Sequence, residues 1–381
     1  MKPIYLDYAA ATPLDPDVLA LMQPYFAERF HNPSATYLEA RNVARQGLDS
    51  ARQLIASRLG AKPPEIIFTA GGTEANNLAI QGVMRKYPKG EVLVSAIEHE
   101  SILAPAKLFN HGEIPVTTKG IIKLEALKKM INSETVLISA GMVNNELGTL
   151  QPLREISLIV EEERKDRQKK GHKTPLYLHT DAAQAPNYFD MHVSRLGVDL
   201  LSLNAGKIYG PKQTGALFVK AGVILQPLIL GGGQESGLRS GTENVAGAVG
   251  MAAALDRAQE RRHGEAERVF ELKKIFLDML TNLIPAAEVN GDAKHTAPHI
   301  INVSFPGFDN ERLMMELDEA GIQVATGSAC AADSGEPSHV LKAIGLPDRL
   351  ARSSLRFSFG RATTKKDIEV TARTLQKLIK S

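Results

Sequence analysis

Several side chains stand where chemistry could be done. Lys207 lies in Leu203-Asn204-Ala205-Gly206-Lys207-Ile208-Tyr209-Gly210, just after an apolar run and between glycines. A lysine placed there is either solvated or chemically used. It is not a P-loop lysine: Leu201 stands where that motif needs Gly, and Ile208 where it needs Ser or Thr. Asp181, in Leu178-His179-Thr180-Asp181-Ala182-Ala183-Gln184, ends another apolar run. That is the end of a strand at which α/β sheets place ligands. A carboxylate partly buried there caps a helix or waits for a cation or proton. Phe68-Thr69-Ala70-Gly71-Gly72-Thr73-Glu74-Ala75-Asn76-Asn77 reads as strand, glycine pair and helix start. Free N–H groups and the helix dipole make such a start a phosphate cradle, or simply a capped helix after a tight turn. Two more glycine-rich pieces, 231–235 and 239–244, lie downstream. The only cysteine, Cys330, sits in Ala325-Thr326-Gly327-Ser328-Ala329-Cys330. Small neighbours pack poorly as a core and leave a thiol accessible, against the usual fate of a lone cysteine as a buried hydrophobe.

These residues need a scaffold, and the chain alternates accordingly. Helical patterns span 15–29, 40–59, 73–86, 101–110, 124–132 and 152–170. Apolar strand-like runs fall at Ile66–Thr69, Val92–Ala96, Val136–Ala140, Leu176–Thr180, Leu200–Leu203 and Ala216–Val219. Such alternation predicts an α/β fold, a mostly parallel sheet between helices. A helix over 243–283, polar in its middle, would carry the chain from a large domain (14–255) to a smaller α+β domain (1–13 and 256–381). The smaller unit is expected to hold strands at Ile300–Phe305 and Leu355–Phe359 and helices at 309–320 and 364–380, the last capped by Thr364.

Composition narrows the function classes. The 381 residues carry 45 Lys+Arg and 43 Asp+Glu, a net charge of +2, and are 43% hydrophobic and 23% charged. This is a globular composition, without the basic bias of a dedicated nucleic-acid binder. One cysteine excludes an internal disulfide or a cysteine-built metal site. No apolar run approaches the roughly 20 residues that span a bilayer, and the N-terminus lacks a signal peptide's apolar core. A reducing, cytoplasmic location is expected. The basic run 164–173 reads as a solvated helix end, or as a docking patch for an acidic partner or RNA.

Taken together, the motifs resemble cysteine desulfurases of the NifS/IscS type, within the class V aminotransferase group of fold-type-I pyridoxal phosphate enzymes. The resemblance runs from Tyr5-Leu-Asp-Tyr-Ala-Ala-Ala-Thr-Pro through His31-Asn32-Pro33-Ser34 to Ser354-Leu355-Arg356-Phe357-Ser358, nearly the whole chain. It implies a large domain with a seven-stranded, mostly parallel sheet. It implies pyridoxal 5'-phosphate attached to Lys207 as a Schiff base, with Asp181 on the ring nitrogen, Gln184 on the ring hydroxyl and His99 stacked on the ring. Gly72, Thr73, Asn204 and backbone N–H groups at Ala205 or Gly206 would meet the phosphate. Asn145 would lie near cofactor and substrate. Arg356 would clamp the carboxylate of L-cysteine. Cys330 would take the sulfur as a persulfide, leaving alanine, and pass it to an acceptor protein: an iron–sulfur scaffold or a thiolation relay. Thr242 would reach the partner's cofactor phosphate across a homodimer. No metal, membrane or direct nucleic-acid contact is implied.

The chain departs from the family's Ser-x-His before the lysine, having Asn204 and Gly206 there. The Asn145–Asp181 spacing is long, and the excess coincides with the basic run. The extension with which IscS-like members hold their scaffold is expected to be missing after the last helix, so the resemblance does not imply use of that scaffold. Other readings on this fold are a selenocysteine lyase, an ordinary aminotransferase with Cys330 incidental, or a non-enzymatic scaffold.

Overall fold

The structure, a computed structural model, describes residues 3–327 and 337–380. Cys330 therefore lies outside the described residues. Among the described residues twelve strands are formed: β1 (Ile4–Tyr5), β2 (Ile66–Thr69), β3 (Glu91–Ser95), β4 (Asn110–Ile114), β5 (Thr135–Ser139), β6 (Tyr177–Asp181), β7 (Leu200–Asn204), β8 (Gly215–Val219), β9 (Glu288–Asn290), β10 (Ile300–Ser304), β11 (Ile322–Gln323) and β12 (Ser354–Ser358). Seven make one sheet in the order β2-β8-β7-β6-β5-β3-β4. Only β8 runs against its neighbours. The central strands are Val-, Ile- and Leu-rich and buried on both faces, as parallel strands covered by helices must be.

Helices supply the two covers. On one side the Gly72–Lys86 helix presents Ala75, Leu78, Ala79 and Val83, a three-to-four-residue stripe, to β2, β3 and β8. On the other, Gln46–Leu59, Leu153–Lys169 and the first half of Val245–Leu283 close a larger core. That last helix runs unbroken for 39 residues. Its first half buries small residues such as Ala248, Ala252 and Ala254 in the larger core. Its second half buries Val269, Leu272, Phe276 and Leu280 in a separate core with β10 and β12. There β12-β10-β9 form an antiparallel sheet, and β1 pairs with β11.

Two expectations fail locally. The helix expected over 101–110 ends at Ala106, and Asn110–Ile114 becomes the edge strand β4. Asn-His-Gly-Glu-Ile is polar because β4 is solvated, so it carries no apolar run to find. The helix expected over 15–29 breaks into Pro16–Met22 and Pro24–Ala27, since Pro24 starts a new turn. At the end of the chain, Thr364 and Asp367 cap each other's N–H groups as anticipated.

The basic run extends the Leu153–Lys169 helix. Arg167 is buried and bonds the carbonyls of Asn132, Thr174 and Pro175. Arg164 pairs with Asp199. Lys165, Lys169, Lys170 and Lys173 are exposed. Half of the run is thus a structural staple and half a solvated surface.

Candidate active site

A cavity of about 310 Å³ opens at the C-terminal ends of the parallel strands. Gly72, Thr73, His99, Asn145, Asp181, Gln184, Asn204, Lys207 and Arg356 all line it. Ala205 and Gly206 stand behind its wall. Thr242 is exposed and lines a neighbouring cavity with Thr69, Ala70 and Arg239.

The end of β7 sets the lysine. Asn204 accepts the N–H of Gly206 at 3.0 Å, turning the chain into the single turn Ala205–Lys207. The Ala205 N–H goes to the Thr214 carbonyl at 3.0 Å. Both N–H groups are therefore engaged within the protein. A side chain at 206 would begin 3.1 Å from the Lys212 stem, so glycine fits here where the family has histidine. Lys207 Nζ bonds the carbonyls of Ala9 at 2.9 Å and Ala10 at 2.5 Å.

The end of β2 leads to the helix at Gly72. Gly71 has φ 129°, a conformation that favours glycine, and no side chain caps the helix. Gly72 and Thr73, in its first turn where backbone N–H groups lack helical partners, line the cavity. Asn204 Nδ2 lies 3.4 Å from where a Cβ on Gly72 would stand, adding a donor beside them.

Between these ends runs a chain of hydrogen bonds. Asp181 accepts the Ala183 N–H at 2.8 Å and Asn76 Nδ2 at 2.7 Å. Asn76 also reaches Ser101 Oγ at 2.8 Å, and Ser101 Oγ lies 2.8 Å from His99 Nδ1. The Ser101 backbone N–H donates to that same Nδ1 at 3.1 Å. Nδ1 is therefore the acceptor, and the neutral ring carries its proton on Nε2. Gln184 donates to the Ala9 carbonyl at 2.9 Å, which leaves its amide nitrogen one further hydrogen.

A second carboxyl sits beside Asp181. Glu98 is buried, accepts the Gly141 N–H at 2.7 Å, and lines the cavity. Burial, with the charge of Asp181 adding to it, pushes its pKa up to about 8 against the pull of the Gly141 N–H. Glu98 thus holds its proton well above the usual carboxylate range.

The opposite wall is made by Arg356, from the middle of β12. It is 2% exposed, yet it opens on the cavity. Nη2 bonds Asp7 Oδ1 at 2.7 Å and Nη1 bonds the Asn145 carbonyl at 3.0 Å. Among the described residues, these are the two partners of its five N–H donors, and Nε has none. The loop carrying Asn145 is held by Asn144, whose Oδ1 accepts the N–H groups of Glu146 and Leu147 and whose Nδ2 donates to the Ile97 carbonyl.

Sequence reading missed Asn76, Glu98, Asn144, Ser101 and Asp7. Asn76 stands three residues after Thr73, on the same face of its helix, and could have been found by that spacing. Glu98 and Asn144 adjoin residues that were picked. Asp7 has no local signal, since its partner is 349 residues away.

The fold and this strand-end cavity define the class. The family model for class-V aminotransferases matches residues 4–370, and the chain belongs to that family. A solved NifS-like protein superposes with a TM-score of 0.90 at 31% identity, over 99% of both chains. A solved structure of SspA in complex with cysteine gives 0.80 at 36% identity, over 93% of this chain and 98% of that one. The cysteine desulfurase IscS of Dictyoglomus turgidum is 41% identical over 99% of this chain and 95% of its own. Within the family, the chain is a cysteine desulfurase of the NifS/IscS type.

Proposed function

We propose that the protein takes the sulfur of L-cysteine onto Cys330, releases L-alanine, and hands the sulfur to an acceptor protein, with pyridoxal 5'-phosphate as cofactor. The observation that carries this reading is the meeting of Lys207, Asp181 and Arg356 on one cavity. The donor set fits the cofactor. The uncapped helix at Gly72 and Thr73, with Asn204 Nδ2 beside it, suits a phosphate. Asp181, braced by two donors, suits a ring N–H. His99 lines the wall where a ring face would pass. Gln184 keeps a hydrogen for a hydroxyl, and Asn76 Oδ1 is buried without a partner. When bound, pyridoxal phosphate supplies an electron sink for negative charge at the substrate's α-carbon.

The chain's own residues then divide the work. Arg356 offers the remaining N–H groups of Nη1 and Nη2 to the substrate carboxylate. Lys207 moves the proton at Cα. Asp181 would hold positive charge on the ring nitrogen of the bound cofactor. The Cys330 thiolate attacks the substrate Sγ: an S–S bond forms and the Sγ–Cβ bond breaks. Its electron pair stays on the three-carbon skeleton, which takes a proton and leaves as alanine. With one cysteine in the chain, no internal thiol can resolve the persulfide, so the sulfur leaves to an external acceptor.

Two exposed features support a homodimer: Thr242, and the apolar Phe26, Phe30 and Leu38, which are 64–74% exposed. Light scattering checks it. Among the described residues no helix is long and apolar enough to cross a membrane, and a cytoplasmic location is part of the proposal. Intact-mass spectrometry after incubation with cysteine tests the central claim. One added sulfur, lost in Cys330→Ala, is expected. Full alanine production by Cys330→Ala would sink it.

A further inference from the structure

We propose that Glu146 is a positioning residue for sulfur transfer, fixing both ends of the segment that carries Cys330 against the substrate arginine. The inference rests on the persulfide reading above.

Glu146 is 1% exposed. Its Oε2 accepts the hydroxyl of Ser338 at 2.6 Å, 192 residues along the chain. The same oxygen would lie 3.5 Å from a Cβ placed on Gly327, so Gly327 packs against it. One carboxylate therefore touches residues on both sides of 328–336. Two residues before Gly327, Ala325 exchanges both backbone hydrogen bonds with Arg356, at 3.2 and 2.7 Å. The preceding neighbour of Glu146, Asn145, gives its carbonyl to the Arg356 guanidinium. The outgoing and returning arms of the Cys330 segment are thus tied to the group that would hold the substrate carboxylate.

Neither tether is loose. Glu146 is set by its own N–H and that of Leu147, both given to Asn144 Oδ1. Ser338 Oγ, while donating to Glu146, accepts the N–H groups of Val340 and Leu341 as the cap of His339–Ala343. Val340 and Leu341 are buried in the larger core. His339 Nε2 lies 2.9 Å from the Glu98 carbonyl, beside His99. A buried carboxylate is a costly way to fill space, and an apolar residue of like size would often serve stability as well. Its use here is explained by register: it holds Gly327 and Ser338, the described residues on either side of 328–336, near the strand that carries Arg356.

The cycle Glu146→Gln, Ser338→Ala and the double variant, made in the holoenzyme, tests this, with Glu146→Ala as the full deletion. Two signals are followed after mixing with cysteine: the cofactor absorbance change on substrate binding, and sulfur on Cys330 by time-resolved intact mass. We expect binding to keep its Kd within about two-fold. Sulfur deposition should slow about ten-fold in Ser338→Ala and Glu146→Ala, the loss set by one charge-assisted hydrogen bond. Glu146→Gln, which keeps an acceptor oxygen, should recover part of that rate. The double variant should be no slower than the worse single. Where Glu146→Ala does not fold, the cycle members carry the test. Unchanged deposition in every single variant overturns the proposal, and so does an equal loss of binding and deposition, which marks a merely structural role. A wild type that puts no sulfur on Cys330 takes down the parent reading with it.

Discussion

The two walls of the cavity are built in different ways. On the wall proposed to hold the cofactor, Gly72, His99, Asp181, Asn204 and Lys207 each stand within a few residues of the end of a strand in one sheet. The wall proposed to hold the substrate joins distant pieces: Asp7 to Arg356 across 349 residues, and Arg356 to Asn145 across 211. The first wall inherits its geometry from strand spacing, which any such sheet provides. The second exists only when the smaller core docks on the larger one. Cofactor attachment is therefore expected to survive changes that ruin substrate recognition, while the reverse is not.

The largest effect that separates the walls is Lys207→Ala. It should abolish turnover and the visible absorbance of the purified protein together. No amino-acid side chain absorbs visible light, so no colour would remain. Retained colour that denaturation does not release would mean another lysine carries the cofactor. Next comes Arg356→Lys, which keeps charge but loses the planar fork. KM for cysteine should rise roughly 10- to 100-fold, the 1.5–3 kcal/mol range of hydrogen bonds to charged groups, with the cofactor spectrum unchanged. A variant that also loses its cofactor would show that the walls are not independent.

The same contrast governs what could be read in advance. Lys207 and Asp181 were legible because each follows an apolar run and interrupts it with a charge. Asn204 was legible as a departure from a motif, but not its part in the turn. Its bond to Gly206 is local to the turn, but its place beside Gly72 needed β7 and β2 to be brought together around β8. Strand β4 was missed because this edge strand is mostly polar, with only Ile114 apolar and buried. Asp7 and the Glu146–Ser338 contact could not be found, since no periodicity links residues so far apart.

Within the cofactor wall, Asn76→Ala asks how much the bracing of Asp181 matters. Asn76 supplies one of two donors to that carboxylate and the link to Ser101 and His99. Cofactor Kd should rise about ten-fold, the loss of one hydrogen bond to a charged group, with KM for cysteine unchanged in saturating cofactor. A change in KM alone would place Asn76 functionally on the other wall.

The smallest effect on ligand binding belongs to Glu98→Gln, and it decides whether the cofactor wall holds one charge or two. Glu98 keeps its proton in the folded protein up to about pH 8, whereas the unfolded chain gives it up near 4.5. The folded state binds more protons across that window. The stability tied to the buried neutral acid is complete below about 4.5 and is lost as pH rises toward 8. Glutamine has the same shape and nothing to lose. In urea unfolding, the stability of the variant relative to wild type should therefore climb from about pH 5 to about pH 8 and then level off, at constant m-value. At pH 7 cofactor affinity should move by no more than about two-fold, since a neutral group replaces a neutral group. A difference that stays flat over the window would mean that Glu98 is ionised beside Asp181. The cofactor wall would then carry two negative charges, and the Asn76–Ser101–His99 chain would have to be assigned a proton to balance them.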